Sequence, residues 1–118
     1  AAILKNDLKE LMGWEYTIIT GKAKKDGIYL SLSEPDEQLG KEGYELSIIN
    51  KVSIQAPTAQ GVFWGTRTLL QMLYRQEAKL AKGTTRDWPE FPNRGFMLDV
   101  GRKFFTLDYL KKQIKMLN

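Results

Sequence analysis

Two glycines four residues apart, Gly61 and Gly65, fall in a mostly apolar run, residues 59–74, and constrain the fold more than any other feature. The run has helical spacing: Val62, Leu69, Leu70 and Leu73 recur on one side, and Thr58 stands where an N-cap belongs. Glycines four apart line up on one face of a helix and leave it bare. Each costs about 1 kcal/mol of helix propensity. A bare face therefore implies a close neighbour, and the sequence just upstream supplies one. YELSI and VSIQA alternate with period two across Asn50-Lys51, with Tyr44, Leu46, Ile48, Val52 and Ile54 as candidate core residues. A helix lying flat on a hairpin defines an α+β layer.

The rest of the chain extends this layer. Leu4, Leu8, Leu11 and Met12 share a face of a helix over residues 3–12, which Gly13 can stop. Residues 15–20 are rich in Tyr, Thr and Ile and read as a strand. Residues 21–27 read as a polar connection. Residues 28–33 alternate as a second strand, and residues 34–43 as a loop. The sheet is expected to be mostly antiparallel, with helices on one face. Residues 82–93 hold Gly83, Pro89 and Pro92 and read as a connector. A short strand over residues 95–100 then leads to a last helix capped by Thr106, with Leu110, Ile114 and Leu117 on its apolar face. Such a βα unit needs parallel neighbours. The chain thus divides into a small α+β domain, residues 1–86, and the start of a second domain, residues 87–118.

Composition narrows the chemistry. The chain has 118 residues, no Cys and no His. Disulfides and cysteine-ligated metals are excluded, and the usual base of a nucleophilic triad is missing. No metal site and no cofactor is expected. No P-loop or dinucleotide-binding fingerprint is present. The net charge of +4 is concentrated after residue 101, where five basic residues oppose Asp108 alone. That is too little for a nucleic-acid module. No run approaches a membrane span of roughly 18 apolar residues.

Three features could carry chemistry. Asp36-Glu37 is a pair of adjacent acids, but its loop offers no apolar pocket to shift a pKa, so it reads as a solvated turn. Trp88 is either an exposed stacking platform for a sugar or an aromatic packed at a domain boundary. Phe63 and Trp64 read as core. In FPNRGFMLDVGRKFF the charges Arg94, Asp99 and Arg102 surround a strand. If that strand belongs to a βα barrel, its C-terminal end would favour Asp99. The alternative is an Asp99–Arg102 ion pair that tethers the strand end.

Three motifs in order resemble glycoside hydrolase family 20, the β-N-acetylhexosaminidases: GYxLxI from Gly43, GxFxGxxTLxQ from Gly61, and DxPxFPxRGxxLDxxR from Asp87 to Arg102. The resemblance implies a small zincin-like α+β domain followed by a catalytic (β/α)8 barrel, of which this chain would carry only the first strand and helix. It implies retaining, substrate-assisted hydrolysis of terminal GlcNAc or GalNAc, in which the 2-acetamido carbonyl attacks the anomeric carbon. An Asp-Glu pair on a later barrel strand would orient that group and act as acid and base. The chain alone is therefore expected to be inactive. Arg94 resembles the family arginine that grips sugar hydroxyls, Asp99 and Arg102 would support it, and the carboxylates that balance Arg94 are expected from outside this chain. Phe96, Leu98, Leu110 and Ile114 are expected to bury against further barrel elements, and the chain by itself to self-associate or to carry a poorly ordered C-terminal segment. The family suggests secretion or surface display. A family 84-like acetamido-sugar hydrolase and a non-catalytic carbohydrate-binding module are the competing readings.

Overall fold

The computed structural model describes residues 1–21, 27–75 and 79–116. The order of elements is α1 (Ala2–Met12), β1 (Ile28–Leu32), β2 (Tyr44–Ile48), β3 (Val52–Ala56), α2 (Ala59–Arg75), β4 (Gly83–Asp87) and α3 (Leu107–Met116). The polar connection expected over residues 21–27 and Leu117 lie wholly or largely outside the described residues.

The four strands form one mixed sheet in the order β1-β3-β2-β4. The β2–β3 and β2–β4 pairs are antiparallel, and β1 runs parallel to β3. Mostly antiparallel pairing is therefore correct, and the parallel edge is a refinement. The register stacks apolar residues on one face: Leu30 opposite Ile54 opposite Leu46, with Ile28, Val52 and Ile48 in the next row. The alternate positions are polar: Ser31, Gln55, Glu45 and Arg86 form one row across all four strands. Helix α2 lies on β1, β2 and β3 and against α1. Leu4, Leu8, Tyr44, Leu46, Ile54, Ala56, Leu69, Leu70 and Leu73 form the core between helices and sheet.

The bare face of α2 serves the close approach its glycines implied. A Cβ on Gly65 would stand 2.5 Å from Ile54 Cγ2 and 3.0 Å from the Tyr44 ring. One on Gly61 would meet the Gly43 carbonyl and stand 2.8 Å from Ala56 Cβ. Thr58 caps the helix, its Oγ1 accepting from Gly61 N at 3.0 Å. The same hydroxyl donates to the Lys41 carbonyl and ties the helix start to the loop before β2. Helix α1 stops at Gly13, whose φ of 70° is left-handed. Arg67 on α2 binds Asp7 on α1 at 2.5 Å and lies over the Phe63 ring.

Three segments differ from the sequence expectation. Residues 15–20 form no strand. Trp14 and Tyr16 pack edge to face at 6.4 Å against the core, while Ile18 and Ile19 stay exposed. β-propensity needs a ladder partner, and this segment has none among the described strands. Residues 83–87, read as connector, form β4 along the free edge of β2. The β-branched pair Thr84-Thr85 suits an edge, and Thr84 hydrogen-bonds Ser47 at 3.0 Å. Residues 95–100 form no ladder, leaving Phe96, Met97 and Val100 more than half exposed. Helix α3 does form at its cap: Thr106 Oγ1 accepts from Tyr109 N at 3.3 Å.

Candidate functional site

An open groove of about 750 Å³ runs between α2 and the segment that follows β4. Its polar wall includes Glu42, Tyr44, Thr68, Asp87 and Arg94; Trp64 and Trp88 provide flat apolar surface.

The register of the sheet builds the inner end. Tyr44 stands opposite Asp87 across β2 and β4, so both side chains rise on the helix-covered face. Tyr44 Oη donates to Asp87 Oδ2 at 2.8 Å and lies 2.6 Å from Thr68 Oγ1. With its proton committed to the carboxylate, Tyr44 accepts from Thr68. Burial pushes the Tyr44 hydroxyl up to about 12, and the Asp87 charge adds to that shift against the opposing Thr68 bond. Tyr44 is therefore a neutral linker at physiological pH. It joins sheet, helix and the start of the Trp88-Pro89 segment.

The outer end is ionic. Arg94 Nη2 binds Glu42 Oε2 at 2.6 Å, and its Nη1 donates to the Phe91 carbonyl at 2.8 Å. The guanidinium lies 5.9 Å from the centre of the Trp64 ring. Gln60 Nε2 donates to the other Glu42 oxygen at 2.7 Å. Trp64 Nε1 is buried without a hydrogen-bond partner among the described residues.

Arg94 thus sits in the groove wall, but its carboxylate partner comes from within this chain, not from outside as expected. Two of the guanidinium's donors are engaged in the contacts above, which leaves others for a ligand. Asp99 and Arg102 stand outside the groove lining. Asp99 Oδ1 accepts from Gly101 N at 2.8 Å and Arg102 N at 3.2 Å, and its other oxygen pairs with Arg102 Nε at 3.3 Å. This is the local tether given as the alternative reading. Asp36 is held in its turn by bonds from Gln38 N and Leu39 N and by Arg86 at 2.6 Å. Among the described residues no acidic cluster is placed to hold a metal ion, and no helix is long and apolar enough to cross a membrane.

Residues 1–88 match the family model described as glycosyl hydrolase family 20, domain 2. The chain belongs to glycosyl hydrolase family 20. Among curated proteins, a lacto-N-biosidase of Bifidobacterium bifidum is 33% identical over 114 residues, covering 95% of this chain and 10% of that protein. A beta-hexosaminidase of Porphyromonas gingivalis is 38% identical over 89 residues, covering 67% of this chain and 12% of that protein. Among solved structures, the family 20 beta-N-acetylhexosaminidase of Streptomyces coelicolor superposes with a TM-score of 0.77 at 34% identity, over 98% of this chain and 24% of that one. The N-acetyl-beta-hexosaminidase of Streptomyces plicatus, bound to Thio-NAglucal, gives 0.80 at 31%. The chain spans between a tenth and a quarter of the length of these family 20 proteins.

Sequence reasoning named Arg94 for this family 20 chain and missed Glu42, Thr68 and the bond to Asp87. The one available signal was the place of Glu42 directly before the GYxLxI motif. Trp64, read as core, is half-buried and faces both ways: it packs against the core and lines the groove.

Proposed function

We propose that this chain is the small α+β domain and the start of the catalytic barrel of a β-N-acetylhexosaminidase that removes terminal GlcNAc or GalNAc from glycans. In this reading the small domain gives way to the barrel at residues 86–87, at the end of β4, whose last residue Asp87 still pairs with Tyr44. The observation that carries this reading is Arg94 in the groove wall, held by Glu42 and with donors to spare. A planar guanidinium suits two neighbouring sugar hydroxyls. The likeness to solved hexosaminidases extends over 98% of the chain, past the end of the family-model match at residue 88, which supports treating residues 89–116 as part of the same architecture.

The reaction proceeds with retention. The 2-acetamido carbonyl oxygen bonds to the anomeric carbon as the glycosidic bond breaks, a glutamic acid gives its proton to the leaving oxygen, and water then opens the oxazolinium-type intermediate. Asp36-Glu37 is the one adjacent Asp-Glu in the sequence, and Asp36 is committed to its turn and to Arg86. The acid–base pair therefore belongs to another part of the parent enzyme, and the 118-residue chain is inactive. Asp99 and Arg102 brace the segment after Arg94 and touch no sugar. The exposed Phe96 and Met97 bury against further barrel strands in the parent, and drive self-association of the isolated chain.

The test is Arg94→Ala in the full-length protein. Aryl N-acetylglucosaminide hydrolysis is expected to lose at least about 100-fold in kcat/KM, because a site built to hydrogen-bond a substrate hydroxyl loses that recognition with its donor. Unchanged turnover by that variant would refute the assignment.

A further inference from the structure

We propose that Glu42 of the small domain is a positioning residue for the sugar site, and that the small domain presets the conformation of Arg94. The inference rests on Arg94 being the sugar contact. It gives domain 2 a part in substrate recognition rather than a purely structural one.

The backbone that carries Glu42 is fixed on three sides. Thr58 Oγ1 holds the Lys41 carbonyl, Gly43 N donates to Leu39 O at 2.7 Å, and Gly43 lies against α2 where Gly61 has no side chain. Each carboxylate oxygen of Glu42 then has its own partner. Oε1 accepts from Gln60 in the first turn of α2, and Oε2 accepts from Arg94. One helical turn beyond Gln60, Trp64 presents its ring to the same guanidinium. Gln60, Glu42 and Arg94 form a relay from the rigid helix–sheet layer to the groove.

The pair is poorly suited to a stabilising role. The Arg94 side chain is 45% exposed, and ion pairs at that exposure add little to folding. Its value lies in order. A free arginine loses much rotamer freedom when it closes on a ligand. An arginine already held by a carboxylate and a ring has lost that freedom before the sugar arrives. The carboxylate also balances the charge that would otherwise face a neutral ligand.

The experiment is a double-mutant cycle in the full-length protein, with Glu42→Gln, Gln60→Ala and Arg94→Ala. Readouts are kcat/KM on an aryl N-acetylglucosaminide, affinity for free GlcNAc and the thermal midpoint. Glu42→Gln is nearly isosteric and is chosen to preserve the fold; Gln60→Ala reports on the same relay without touching the carboxylate. Glu42→Gln is expected to lower kcat/KM between about 10- and 100-fold, the scale of a small misplacement of a positioned group. Gln60→Ala should lower it less. GlcNAc affinity should fall in parallel. In the Arg94→Ala background, Glu42→Gln should have no further effect. An equal loss in both backgrounds, or a loss that only tracks the thermal midpoint, would show a structural role and overturn the proposal. A damaging Arg94→Ala beside a harmless Glu42→Gln would overturn it too, while leaving Arg94 as the sugar contact. A harmless Arg94→Ala would remove the reading on which it rests.

Discussion

Tyr44 and Asp87 face each other across the β2–β4 ladder, and the 2.8 Å hydrogen bond between them closes the sheet at its groove end. The phenol reaches Thr68 on α2 from the same oxygen, at 2.6 Å. One side chain thus couples strand β2, helix α2 and the last residue of β4. Replacing Tyr44 by Phe keeps the buried ring and removes both bonds. We expect a loss of about 1–2 kcal/mol in urea unfolding, since Thr68 and Asp87 each lose a partner. The hydrogen-exchange protection of β4 should fall more than that of β3.

The same hydroxyl sets an alkaline limit. Tyr44 holds its proton to about pH 12 in the folded chain, against an ordinary value of 10.0. Above pH 10 the unfolded chain releases this proton while the folded chain keeps it, so folding stability falls as the pH rises towards 12. Below pH 10 the contribution is fully present. Tyrosinate absorbance should show one late-titrating tyrosine. Tyr44→Phe should remove that late step and flatten the loss of stability between those limits.

Gly65→Ala removes a helix-propensity penalty of about 1 kcal/mol but drives a methyl into Ile54 and the Tyr44 ring. Overpacking of this kind costs about 1–3 kcal/mol, so we expect net destabilisation. The double change Gly65→Ala, Ile54→Val should recover part of it, because loss of Cδ1 leaves room for the shorter side chain to shift Cγ2 away from the new methyl. A thermal melt of the two variants decides the point; stabilisation by Gly65→Ala alone would mean that α2 lies farther from the sheet.

Leu69 and Leu8 are buried on adjacent helices, at 0% and 1% exposure. Truncation of either to Ala should cost about 2–5 kcal/mol by lost burial and cavity formation. Asp99→Asn, by contrast, should change unfolding by less than about 0.5 kcal/mol, because its contacts are local and exposed. Chemical denaturation of the three variants gives the comparison directly.

The sequence was most legible where a local pattern and its tertiary use coincide. Period-two alternation located β1, β2 and β3, and helical spacing with Thr58, Thr106 and Gly13 located all three helices. Gly61 and Gly65 announced the contact with the sheet because only a nearby backbone explains two bare positions one turn apart. Arg94, which lines the groove, was singled out by its motif. Failures occurred where a segment's state depends on an edge it cannot see. Residues 15–20 have the composition of a strand but no ladder partner, and residues 83–87 look like a connector yet complete β2. Local propensity is a weak force beside a row of unpaired backbone groups.

By itself, then, the sequence determined an α+β layer, most of its core residues (though not the exposed Leu11 or the buried Leu39 and Ala56), the absence of histidine and cysteine chemistry, and the motifs of the family. Tertiary structure decided the strand order, the parallel edge and the partners of Arg94. The reason is distance along the chain. Glu42 and Arg94 are 52 residues apart, and Tyr44 and Asp87 are 43 apart. Periodicity fixes which face a residue occupies, and only the closed sheet fixes what that face meets.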